Sequence, residues 1–104
     1  MAKKVEWTES AWRDLEEIAN YIAKDSSIYA ASFVEGVKDL ARSLRRFEER
    51  GRVVPEYDDP NIRELFIKSY RMLYHTADDT VYVICIIHGA RDLSMNIDIE
   101  ERIP

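Results

Sequence analysis

Glycine and proline are scarce in this chain, with three of each among 104 residues. That leaves little material for a long disordered linker. Cysteine occurs once, at Cys85, inside the most apolar run. No internal disulfide can form, and Cys85 reads as a small buried core residue of a reducing cytoplasm. The longest apolar run, Val81 to Ile87, is far too short to cross a bilayer, and "MAKKVEW" carries no apolar signal core. A soluble cytoplasmic protein with no membrane partner is expected. Positive charge is also short: 15 Lys and Arg face 20 Asp and Glu, for a net charge of −5. Broad electrostatic capture of nucleic acid needs the opposite balance, although a local basic face stays possible. The two histidines, His75 and His88, have no thiol or carboxylate at metal-ligand spacing. No P-loop, glycine-rich dinucleotide fingerprint or CxxC is present, so neither metal nor cofactor is expected.

What is present is an ordinary globular balance, 46% hydrophobic and 34% charged. The length suggests a single domain over residues 1–104, with a short tail from about residue 92. "KKVEW" reads as a first strand. Thr8 can cap a helix, with Trp7 and Trp12 packed as a hydrophobic staple. Ala11, Leu15, Ile18 and Ile22 recur at helical spacing, taking this helix to about Lys24. Ser26 or Ser27 can cap a second helix with the stripe Ala30, Phe33, Val34, Val37, Leu40, Ala41, Leu44 and Phe47. The short connection makes the two an antiparallel hairpin over about residues 11–47. Gly36 within the second helix marks a close approach between backbones.

Gly51 ends the second helix and Pro55 keeps the chain extended through "GRVVPE". "NIRELFIKS", "YRMLYHTA" and "TVYVICIIHG" read as three strands, the last two joined around Asp78-Asp79. The order β-α-α-β-β-β predicts an α+β fold, with the helical hairpin on one face of a mostly antiparallel sheet. In the tail, Leu93, Met95, Ile97 and Ile99 alternate as in a strand, while Asp92 could cap a short helix instead.

A hairpin symmetric about Asp78-Asp79 pairs Ala77 with Thr80 and Arg71 with Ile86. One face then carries Tyr70, Met72, Tyr74, Val81, Val83, Cys85 and Ile87, and should meet the helices. The other carries Arg71, Leu73, His75, Tyr82, Ile84, Ile86 and His88, with Arg71 diagonal to His88. Each polar member has a plain structural reading: Arg71 as a surface charge, His88 as a strand-end histidine, Glu56 as a loop carboxylate.

"GRVVPE", "IRELFI", "YRMLYH" and "VICIIHGARDL", preceded by "AWRDLEEIANYI" and "SLRRF", resemble the successive motifs of the RelE/ParE superfamily. Its members are toxins of type II toxin–antitoxin modules, often called plasmid stabilization proteins. The resemblance runs from Val5 to about Leu93 and implies the same strand and helix order. It also implies a growth-inhibiting toxin with a cognate antitoxin as partner, in a toxin–antitoxin hetero-oligomer. RelE-like members cleave mRNA on the translating ribosome, whereas ParE-like members poison DNA gyrase.

For the nuclease branch, the resemblance implies Glu56 as base, Arg71 as phosphate clamp and His88 as acid. Arg52, Arg63 and Arg91 would hold RNA or a partner. Three departures favour the ParE-like, gyrase-directed branch, which would not be an enzyme. The chain is acidic, Lys68 is the only lysine after Lys38, and "HGARDL" is followed by an extra tail. In that branch Arg63 and Glu64 would lock the sheet to the preceding loop. A third class is a degenerate member that binds a partner without toxicity. In either toxin branch, Leu73, Tyr82, Ile84 and Ile86, with Leu93, Met95 and Ile97 of the tail, would form an apolar antitoxin interface. The alternative is that the tail folds back over that face.

Overall fold

The computed structural model describes residues 2–91, 93 and 97–104. Chain order runs β1 (Lys4–Trp7), α1 (Glu9–Ala23), α2 (Ser27–Ser43), β2 (Arg52–Val53), β3 (Ile62–Ile67), β4 (Tyr70–Thr76), β5 (Thr80–His88) and α3 (Ile99–Arg102). The expected α+β order stands, with β2 as an added two-residue strand inside "GRVVPE". The sheet order is β1-β5-β4-β3-β2, antiparallel throughout except for the parallel pair β1 and β5.

The caps are where the side chains suggest. Thr8 Oγ1 accepts from the Ala11 N–H at 3.2 Å, and Ser26 Oγ accepts from the Tyr29 N–H at 3.1 Å. Trp7 and Trp12 stack with ring centroids 4.4 Å apart, pinning the strand-to-helix turn. Ala11, Leu15, Phe33, Val37, Ala41 and Leu44 are buried against Met72, Tyr74, Val81, Val83 and Ile86 of the sheet. Two members of the expected stripe differ. Leu40 is only half-buried, and Phe47 lies past the helix end, 62% exposed. At Gly36 the close neighbour is a side chain, since an added Cβ would stand 2.9 Å from Ile67 Cδ1.

Gly51 is a glycine for a reason other than helix termination. No described glycine has a positive φ. A Cβ on Gly51 would fall 2.5 Å from the Glu64 carbonyl oxygen and 2.6 Å from Tyr74 Oη. Tyr74 fills that corner, accepting from the Gly51 N–H at 2.9 Å and donating to the Glu48 carbonyl at 2.7 Å. Burial pushes its phenol above the ordinary pKa.

The β4–β5 pairing begins as expected and then slips. The Ala77 N–H donates to the Thr80 carbonyl, Thr76 faces Val81, and Tyr74 faces Val83. Leu73, however, faces Cys85, so Ile84 is an extra residue bulged into β5. Beyond it every partner shifts by one: Arg71 faces Ile87 and Tyr70 faces His88. Cys85 and Ile87 therefore leave the helix side and join Leu73, and Ile86 and His88 cross to the helix side. Burial lifts the Cys85 thiol to about 12.

The second face is covered by the chain itself. Leu73, Ile84, Cys85 and Ile87 pack with Val54, Ile62, Leu93 and Ile99, and half-buried Tyr82, Ile97 and Ile103 join them. The expected open apolar face is thus corrected: Ile86 is buried on the helix side, and the tail folds back to bury Leu73, Ile84 and Leu93. A partner can reach them only by displacing the tail. The tail ends in one helical turn, with Asp98 Oδ1 accepting from the Glu101 N–H. Asp92 and Met95 lie outside the described residues. Among the described residues no helix is long and apolar enough to cross a membrane.

Candidate functional site

Four charged side chains meet on the tail-covered face of the sheet. Alternation along β3 and β4 turns Glu64 and Arg71 to this face, and β2 brings Arg52 opposite Glu64. Past β2 the chain turns back on itself. Val54 is buried, its carbonyl accepts from the Tyr57 and Asp58 N–H groups, and Asp58 takes a left-handed φ of 48°. This turn presents Glu56 to Arg71.

Glu64 is 1% exposed and Arg71 4% exposed, so both charges have left water. Burial of that kind is tolerated only with partners and hydrogen bonds. Glu64 accepts from Arg71 Nε at 2.5 Å and from Arg52 Nε at 2.6 Å. Glu56 takes the other edge of the same guanidinium, with Arg71 Nη1 and Nη2 each donating at 2.9 Å. Arg71 Nη1 also donates to the Arg91 carbonyl at 3.4 Å. All but one of the Arg71 N–H groups are thereby used.

The electrostatics follow from these contacts. The hydrogen bonds from Arg71 hold the Glu56 carboxyl at about 2, well below its ordinary 4.5. The same bonds push Arg71 above its ordinary value. A carboxylate with so low a pKa is a weak proton acceptor near neutrality. Arg52 is largely exposed and stacks its guanidinium 5.0 Å from the Phe66 ring centre.

The residues proposed from the sequence are only partly gathered here. Glu56 and Arg71 are joined directly. His88 lies across from Tyr70 on the helix side, edge-on to that ring at 5.5 Å, and its Nδ1 accepts from the Ala90 N–H. The expected diagonal between Arg71 and His88 is lost to the one-residue shift. Arg63 points to the opposite face from Arg52. It donates to the carbonyls of Gly51 at 2.9 Å, Pro60 at 3.1 Å and Glu49 at 3.4 Å. It thus ties the sheet to the preceding loop, whereas Glu64 bonds Arg52 and Arg71, both strand residues, within the sheet. Arg91 is exposed and contributes its carbonyl to Arg71.

One polar cluster has no signal in the sequence. Asp14 of α1 accepts from Arg102 of α3 at 2.6 Å and from the Ile86 N–H at 3.1 Å, while Arg102 donates to the Ile84 carbonyl at 3.0 Å. β1 stops opposite Val83, and the bulge follows at once. The Asp14–Arg102 pair therefore satisfies the β5 edge that β1 leaves uncovered. Residues 88 apart in sequence meet here, which no local pattern announces. Among the described residues no group of histidine, cysteine and carboxylate side chains could hold a metal ion.

Residues 5–93 match the family model for the ParE toxin of the type II toxin–antitoxin system parDE. The chain is 35% identical over 89 residues to Toxin RelE2 of Caulobacter vibrioides, covering 85% of this chain and 97% of that protein. Among solved structures, it is similar to a chain of the chromosomal ParDE toxin–antitoxin system from P. aeruginosa. The TM-score is 0.69 at 18% identity, over 84% of this chain and 96% of that one. It is also similar to a chain of the RelBE2 toxin–antitoxin complex from Mycobacterium tuberculosis. There the TM-score is 0.61 at 22% identity, over 85% and 99%. At those identities the two structures speak to fold. The family match and the curated relative go further, and the chain belongs to the ParE toxin family of type II toxin–antitoxin systems.

Proposed function

We propose that this toxin arrests growth through DNA gyrase, without cutting mRNA, and that a cognate antitoxin holds it silent. The observation that carries this reading is the state of Arg71. Its guanidinium is committed to Glu64, Glu56 and the Arg91 carbonyl, so a phosphate would have to displace carboxylates already paired with it. Glu56 is correspondingly a poor base, and His88 faces the other side of the sheet. The three groups that a base, clamp and acid mechanism requires do not converge. The family match to ParE supports the same branch, and the solved relatives come from toxin–antitoxin assemblies, which supports an antitoxin partner.

One observation favours the second reading, a RelE-like ribosome-dependent nuclease using Glu56, Arg71 and His88. The curated relative at 35% identity is named Toxin RelE2. Inducing the chain in a bacterial host separates the two. Supercoiling by gyrase and the 5′ ends of ribosome-bound mRNA are followed in the same cells. The gyrase reading expects lost supercoiling or trapped cleaved DNA with intact mRNA. Cleavage at codon-defined positions with normal supercoiling would overturn it, and growth without arrest would identify a degenerate member.

A further inference from the structure

We infer that the C-terminal half of α2 and the turn that follows it form a binding track for single-stranded nucleic acid. Lys38 and Arg42 of α2 and Arg45 just beyond it recur at i, i+4 and i+7, down one side of the helix over about 10 Å. Arg46 and Arg50 carry the charge on through the turn. A cleft of about 490 Å³ beside Lys38 and another of about 770 Å³ beside Arg50 both reach Arg45, so the surface is continuous. An exposed aromatic ring lines each cleft. Trp12 is 44% exposed, stacked on Trp7, with Lys38 Nζ 5.8 Å from its ring centre. Phe47 is 62% exposed and shares its wall with Arg45, Arg46 and Arg50.

Between residues 38 and 50 five cations face three carboxylates, in a chain whose net charge is −5. The helix macrodipole explains little of this excess: it favours a cation only within the last turn, where Arg42 already stands. Arg42 pairs with Asp39, and Glu48 is taken up by Lys3 at 2.9 Å. Among the described residues, Lys38, Arg45, Arg46 and Arg50 form no salt bridge. Arg50 Nη1 donates to Ser43 Oγ at 3.0 Å, which ties its guanidinium to the end of α2. Three of these four are arginines, whose planar forks suit phosphate oxygens. Charge alone would suit an acidic polypeptide as well. The rings decide, because an unpaired base offers each of them a face to stack on and a carboxylate side chain does not. A duplex keeps those faces inside its own stack. No residue of the track belongs to the Arg71 network, so strand binding is separate from the gyrase reading.

The test uses the full chain and a mixed-sequence DNA strand of about ten nucleotides. The comparison ligands are the same strand without bases, its duplex, its RNA counterpart and polyglutamate of matched charge. The DNA strand should bind, more weakly as salt is raised, and should quench tryptophan fluorescence as a base stacks on Trp12. RNA should bind alike, since phosphates and base faces are common to both. Phe47→Leu, at an exposed position, should weaken binding about fivefold or more. The double variant Arg45→Glu, Arg46→Glu, both exposed positions, should weaken it about tenfold or more and flatten the salt dependence. No binding of the strand would overturn the inference. So would unchanged affinity in either variant, equal binding of the abasic strand, the duplex or polyglutamate, or a preference of about tenfold for either sugar. Growth arrest by the induced chain, scored separately, judges the toxin reading.

Discussion

Arg71 and Glu56 meet edge to edge, two parallel hydrogen bonds of 2.9 Å joining β4 to the turn after β2. The same guanidinium reaches Glu64 on the adjacent strand, so one side chain ties a loop, two strands and the Arg91 carbonyl together. Removing it with Arg71→Ala would strand the buried Glu64 carboxylate with Arg52 alone. Breaking a buried pair from one side costs about 3–5 kcal/mol. Urea unfolding should show a loss of that order, and an unchanged midpoint and slope would mean the network is not structural.

Glu56 makes stability depend on acidity in a defined direction. Its folded pKa, about 2, lies below the ordinary 4.5 expected when unfolded. Its contribution is therefore fully present above pH 4.5 and is lost as pH falls toward 2. Glu56→Gln should be less stable than the parent at neutral pH, and the gap should close across that window. A gap that stays constant with pH would rule out the ion pair as its source.

The two leucines at the end of α2 should behave differently. Leu44 is fully buried, so Leu44→Ala should cost about 2–5 kcal/mol. Leu40 is half-buried at the rim of the same core, and Leu40→Ala should fall below that range. Equal losses in chemical denaturation would show that α2 is rotated from the position described.

Gly51 should resist even the smallest side chain. Gly51→Ala forces a methyl against the Glu64 carbonyl and Tyr74 Oη, and overpacking of this kind costs about 1–3 kcal/mol. Adding Tyr74→Phe should recover part of the loss by removing one of the two oxygens. If Gly51→Ala is as stable as the parent, the corner is looser than its hydrogen bonds imply.

Helices were the legible part of this chain because their signals are local. Thr8 and Ser26 cap, Trp7 meets Trp12, and the apolar stripes recur at helical spacing. The strand register was not legible beyond Val83. Every side chain from Val81 to Ile87 is apolar or aromatic, so no polar residue marks which face is which, and the bulge at Ile84 has nothing to betray it. That one residue moved His88 away from Arg71. The tail misled for a related reason: Leu93, Ile97 and Ile99 alternate like a strand, yet they fold back and Asp98 starts a helical turn. In the sequence, only the family resemblance gives Glu56 and Arg71 a joint role. Their pairing across 15 residues depends on the turn at Val54, which no short motif encodes.

The most direct test of the gyrase reading is a paired measurement on His88→Ala beside the parent chain. In one culture, gyrase supercoiling and the 5′ ends of ribosome-bound mRNA are read after induction. His88 lies on the helix side, away from the Arg71 network, so the folded variant should still arrest growth and disturb supercoiling while mRNA stays intact. Codon-positioned mRNA cleavage by the parent, abolished in His88→Ala with supercoiling normal in both, would contradict the account.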